Sequence, residues 1–162
     1  MNRPASPGGF FVWINLLTLN QLANSSLFLY IKNMSGKIIK NWISLAEYDF
    51  ESARVLFEGK RFLTMAFSCQ QTIEKILKAI FVKEKNETPP YTHNLKKLLS
   101  LLSFYNNIDN EKIKIIEDLN SYYLETRYTE EIDELNLLLT ENKAKELIEK
   151  TGGLYKWLKD KI

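Results

Sequence analysis

Between residues 37 and 58, Ile39, Trp42, Ile43, Ala46, Phe50, Ala53 and Phe57 recur at steps of three, four and seven. That spacing puts them on one face of a helix. Leu45, Tyr48, Val55 and Leu56 widen the face, as suits a helix packed between two neighbours, and Gly59 stands where a C′ residue would end it. Over 61–85 the pattern returns with Phe62, Ala66, Cys69, Ile73, Ile76 and Ile80. Lys83 and Lys85 fall in the last turn, where the helix dipole favours cations. Asn86-Glu87-Thr88-Pro89-Pro90 reads as a loop, and Thr92 is expected to N-cap a shorter helix with Leu95, Leu98, Leu99 and Leu102 on one face. After a polar turn at 106–110, a helix over 111–127 presents Ile115, Leu119, Tyr122 and Thr126, flanked by Ile116 and Tyr123. Residues 128–139 run acidic and then apolar, and read as irregular. A fifth helix begins after Thr140 with Ala144, Leu147, Ile148, Tyr155 and Leu158 inward; Gly152-Gly153 is expected to weaken or kink it. No window alternates with period two for long enough to make a strand. The pattern predicts an all-α protein, an antiparallel four- to five-helix up-and-down bundle.

Composition adds a boundary. Pro4, Pro7, Gly8 and Gly9 crowd the start, and residues 10–31 are apolar but interrupted by Asn15, Asn20, Gln21, Asn24, Ser25 and Ser26. Met34-Ser35-Gly36-Lys37 resembles a natural start. Residues 1–33 are therefore expected to be an N-terminal extension outside the core, with an extra packed helix or a targeting segment as the alternatives. Residues 34–162 are expected to form the bundle, and 162 residues suffice for one self-sufficient core. No run is long and apolar enough for a membrane span, so the expected setting is cytoplasmic, with no membrane partner.

Charge and chemistry narrow the classes. The net charge is +2, and residues 1–33 supply it through Arg3 and Lys32 with no acid. The remainder is balanced and has no overall basic field to attract nucleic acid. A single cysteine, Cys69, rules out a disulfide framework within this chain, and a single histidine, His93, rules out sites needing two from one chain. No metal site and no cofactor are expected. Cys69 on the apolar stripe of its helix reads as core and not as a nucleophile paired with His93. Gln70, Glu74 and Lys78 share a polar stripe with Gln71 and Lys75 beside it. The stripe is either the floor of a groove or, as the favoured reading, a solvated face with a weak Glu74–Lys78 pair. His93 is expected to be structural, at a helix start. Arg127 stands either as a cation on a helix end or as a clamp for phosphate or carboxylate, with Tyr123 and Tyr128 as stacking walls. Glu130, Glu131, Asp133 and Glu134 follow at once and argue against an open phosphate groove.

Taken in order, Ala46-Glu47-Tyr48-Asp49 through Ala53, then Phe67-Ser68-Cys69-Gln70-Gln71-Thr72-Ile73-Glu74-Lys75-Ile76-Leu77-Lys78-Ala79, then Thr92-His93-Asn94-Leu95, then Arg127-Tyr128, resemble the HEPN domain family over about residues 37–158. The resemblance implies a four- to five-helix bundle, often a homodimer. It also implies a neighbouring minimal nucleotidyltransferase, in a two-component or toxin–antitoxin system. Many members of that family are metal-independent ribonucleases with an Arg followed four to six residues later by His. Here Arg127 matches the Arg, but positions 131–133 are Glu131, Ile132 and Asp133. Without that His, an RNA substrate is not expected and no catalytic residue is assigned. The expectation is a non-catalytic module that binds a nucleotide or the nucleotidyltransferase through Arg127, Tyr123, Tyr128, Gln70, Gln71, Glu74, Lys78 and His93. The alternative is a ribonuclease toxin with a degenerate site.

Overall fold

A computed structural model describes residues 11–128 and 139–162, with side chains for 34–122 and 139–162. The described elements are α1 (Phe11–Glu58), α2 (Phe62–Lys85), α3 (Leu95–Leu99), a 3₁₀ turn (Tyr105–Asn107), α4 (Asn110–Tyr128) and α5 (Glu141–Lys159). Among the described residues there is no strand, as the periodicity predicts. The chain divides into two compact units, Met1–Gly36 and Lys37–Ile162. Helix already begins at Phe11, upstream of the boundary read from composition. The stretch expected to be irregular, 128–139, lies outside the described residues except at its two ends: Tyr128 closes α4, and Leu139 is buried.

Within the second unit α2 is the central element, packed against α3, α4 and α5. Its Met65, Ile73, Ile76, Leu77 and Ile80 are fully buried, and Leu95, Leu98, Leu99, Ile116, Leu119 and Leu154 close around them. Of these, Ile73, Ile76, Ile80, Leu95, Leu98, Leu99 and Leu119 are positions expected at helical spacing; Ile116 reads as flanking from the sequence, and the pattern passes over Met65, Leu77 and Leu154, which are buried all the same. On α1, Ala46 and Ala53 are buried and Ile43, Phe50 and Phe57 pack against the core. The widening residues Leu45, Tyr48 and Val55 do not join it; Tyr48 is 73% and Val55 67% exposed. Leu56, the fourth widening residue, does pack against the core, so among the described residues the α1 stripe is narrower than the sequence suggests but not confined to its central line.

The helix ends explain the connections. The α1 terminus is a Schellman turn, with Arg61 N–H donating to Leu56 C=O at 2.8 Å and Lys60 N–H to Phe57 C=O at 3.0 Å. The left-handed residue is Lys60 (φ 56°), so Gly59 is the C-cap and not the expected C′ position. Asn86 ends α2 in the left-handed region, its N–H on Val82 C=O. Helix α3 is N-capped by Asn94, whose side chain accepts from Lys97 N–H at 3.0 Å. Thr92 instead accepts from Asn94 N–H at 3.3 Å, one step outside the helix. Asp109 accepts from Lys112 N–H at the start of α4, and Thr140 caps α5 as expected.

Helix α5 runs unbroken through Gly152-Gly153, with neither glycine at positive φ. The expected weak point is a close approach instead. A Cβ on Gly152 would sit 3.0 Å from Phe50 Cζ, so the missing side chain lets α5 settle on the α1 ring. Phe50 and Tyr155 then meet with ring centroids 5.7 Å apart. Beyond the glycines, the Trp157 ring meets Phe104 edge-on at 5.4 Å and carries the Lys112 and Lys161 ammonium groups at 5.1 and 4.7 Å.

Candidate functional site

The polar stripe of α2 is buried. Gln70 is 0%, Glu74 3% and Lys78 8% exposed, which overturns the solvated-face reading. The cause is the central position of α2: α1 covers one side of the stripe and the loop before α3 covers another. A buried carboxylate requires donors on every oxygen, and Glu74 has them. Lys78 Nζ donates to Oε1 at 2.7 Å. Gln70 Nε2 and Gln71 Nε2 reach Oε2 at 3.3 and 3.4 Å, and His93 Nδ1 stands 3.0 Å from the same oxygen. Burial pushes the Glu74 carboxyl up, but the hydrogen bonds and charges of Lys78 and His93 outweigh it and hold the group below its ordinary value. An ionised carboxylate only accepts, so His93 presents a proton on Nδ1 in this contact.

The network extends both ways. Gln70 also donates to the His93 carbonyl at 3.0 Å, which pins the loop to the helix. Gln71 donates to Gln70 Oε1 at 2.7 Å and accepts from Lys75 Nζ at 3.1 Å, and Lys75 pairs with Asp49 of α1. Lys78 Nζ lies 5.3 Å from the centre of the Trp42 ring, so the indole face takes the place of water on the ammonium. The exit to solvent is at His93, whose side chain is 35% exposed. Beside it stands Tyr91, 98% exposed, its ring centroid 5.9 Å from that of His93.

Thus the structure brings together Gln70, Gln71, Glu74, Lys78 and His93 from the expected set. Arg127, Tyr123 and Tyr128 belong to α4, but their side chains lie outside the described residues, as do Glu130, Glu131, Asp133 and Glu134 altogether. Sequence reasoning gave Trp42 and Asp49 no part in the site. Their partners stand 36 and 26 positions along the chain, and no periodicity within α1 or α2 signals such a pairing. Cys69 is fully buried with its thiol on Met65 Sδ at 3.5 Å, and burial pushes it up to about 12 against a smaller opposing hydrogen bond from Thr151. It is a core residue, as expected. A separate concavity of about 570 Å³ lies between α1 and α5, lined by Phe50, Arg54, Phe57, Glu58, Ile148, Glu149 and Gly152. Among the described residues no group of three His, Cys, Asp or Glu side chains is placed to hold a metal ion. No described helix is long and apolar enough to cross a membrane.

An all-helical bundle organised around a buried Gln–Glu–Lys stripe with a Thr-His-Asn loop defines the class of protein. The family profile described as HEPN domain matches residues 39–161, and the chain belongs to that family. Among solved structures it is similar to TT1696 from Thermus thermophilus, at 18% identity and a TM-score of 0.66, covering 76% of this chain and 98% of that one. It is also similar to ST0689, described as an archaeal HEPN homologue, at 25% identity and a TM-score of 0.59, covering 75% of this chain and 95% of that one. No curated protein matches the chain.

Proposed function

We propose that this HEPN domain protein is a non-catalytic module that binds a nucleotide, acting as a homodimer beside a minimal nucleotidyltransferase in a cytoplasmic two-component or toxin–antitoxin system. The observation that carries the reading is the Gln70–Glu74–Lys78–His93 network. It is built around a fixed, almost fully buried carboxylate, and His93, beside the exposed ring of Tyr91, is its most exposed described member. A buried ion pair is poor evidence of selection for stability, since apolar replacement is often neutral or better. Its natural use here is to hold His93 and the loop through Tyr91 in one orientation for a ligand. Tyr91 offers a face to a base and His93 a donor. Arg127, with Tyr123 and Tyr128, would supply a planar fork and further stacking surface for phosphate and base.

The test is a thermal-shift panel of nucleotides on wild type, Arg127→Lys, Arg127→Ala and His93→Ala. A nucleotide at one hundred times its Kd adds about 2.7 kcal/mol to the native state, a shift of several degrees. The expected result is a shift in wild type that Arg127→Lys loses almost as fully as Arg127→Ala, because an ammonium cannot reproduce the fork. Absence of a shift with every nucleotide would overturn the reading.

The ribonuclease alternative gains one specific support: His93 is oriented by a carboxylate, the arrangement a general base needs. RNA cleavage lost in His93→Ala would select it over the binding module.

A further inference from the structure

The concavity between α1 and α5 has the build of a small-ligand site. Two ion pairs tie the helices together beyond its ends, Lys60 with Glu141 and Glu47 with Lys159. Between them about 570 Å³ is left open, inside the range of roughly 300–1,000 Å³ in which small-molecule pockets fall. Its apolar lining is Phe50, Phe57 and Ile148, half-buried side chains packed on the core beneath. Gly152 contributes no side chain to fill it. None of these residues belongs to the Gln70–Glu74–Lys78–His93 network, so the site stands apart from the proposed function.

The charges around the concavity do not balance. Arg54 is matched: it pairs with Glu51 at 3.6 Å and lies over the Phe50 ring, 5.5 Å from its centre. Glu58 and Glu149, the two carboxylates of the lining, make no ion pair or hydrogen bond among the described residues. The neighbouring cations leave them so. Lys60 is held by Glu141 and Lys150 by Glu146, and neither Arg61 nor Lys145 forms an ion pair with either carboxylate. Two unmatched carboxylates over aromatic rings suit a cation. A bare metal ion needs a shell of oxygen ligands that two phenyl rings and an isoleucine do not offer. An ammonium group on an apolar body answers both halves of the lining. Its three N–H donors suffice for both carboxylates, and its body covers Phe57 and Ile148. We infer that the α1–α5 concavity binds a primary organic ammonium ion with an aromatic or aliphatic body.

The test titrates the full-length protein with phenethylammonium, followed by NMR at the Ile148 methyl groups and the Gly152 amide. Hydrocinnamate, which carries a carboxylate on a similar body, is the control. The expected result is saturable shifts at both reporters with the amine and none with the acid. In Glu58→Gln/Glu149→Gln the amine is expected to bind about tenfold more weakly, as two exposed charge contacts are lost. Arg54→Gln removes the one cation of the lining and is expected to bind the amine about twofold to fivefold more tightly. A perturbed fold would not produce that gain. The inference is overturned if the amine leaves both reporters unmoved, if hydrocinnamate moves them equally, if the double glutamine variant binds as wild type does, or if Arg54→Gln binds more weakly.

Discussion

Glu74 carries the largest electrostatic stake of any described residue, because its carboxylate is buried and every donor that offsets its desolvation belongs to another side chain. Its folded-state value lies below the ordinary one, so the network contributes its full stability above the unfolded value of about 4.3 and loses it as pH falls through the folded value. Glu74→Gln leaves the Lys78 ammonium buried without a counter-charge and is expected to cost on the order of 3–5 kcal/mol at neutral pH. The gap between wild type and variant is expected to narrow on acidification below about pH 4, as wild type loses the same charge. Thermal melts of both at neutral and at acidic pH check this. An equal gap at both would mean that the carboxylate is not the charged partner of Lys78.

At the scale of elements, Gly152 and Gly153 separate two effects that the sequence merges. Both are interior to α5, where glycine costs about 1 kcal/mol relative to alanine. Nothing lies within 4 Å of a Cβ at Gly153, whereas one at Gly152 meets Phe50. Gly153→Ala is expected to stabilise by up to about 1 kcal/mol, and Gly152→Ala to gain less or to destabilise, because the Phe50 ring must move. Calorimetric melts of the two variants test the difference, and equal gains would show that the α1–α5 contact is loose. The helices themselves were legible because Leu95, Leu98, Leu99 and Leu102, or Ile73, Ile76 and Ile80, repeat at a period only a helix satisfies. Their ends were less so. Thr92 and Asn94 are both capable caps two residues apart, and which one caps depends on where Leu95 must sit to be buried. The α1 terminus turned on backbone geometry at Lys60 that a neighbouring glycine disguised.

At the scale of the whole molecule, Lys37–Ile162 forms one compact unit, and among the residues with described side chains it holds every buried one, from Ala46 to Leu158. We therefore expect residues 34–162 alone to fold with the bundle's helicity and a single cooperative melt, checked by circular dichroism and calorimetry. A loss of cooperativity would show that the first 33 residues belong to the core. The same scale explains why the site was only partly readable. The positions i, i+4 and i+8 of Gln70, Glu74 and Lys78 mark a stripe, but its burial comes from α1 and the loop at His93, which local patterns do not encode. Polar residues read as surface unless something outside the helix covers them, and here the cover comes from distant parts of the chain.

The fate of the chain's lone thiol has a practical side. Cys69 is sealed in the core and held almost wholly protonated at any physiological pH, so thiol reagents and oxidants that act on thiolates have nothing to grip while the bundle is closed. A cysteine placed anywhere on the surface would then be the sole reactive handle, without removal of the native one. Conversely, alkylation of the unaltered protein becomes a stopwatch for the opening of α2, since only molecules that have parted from Met65 and Thr151 can take the label.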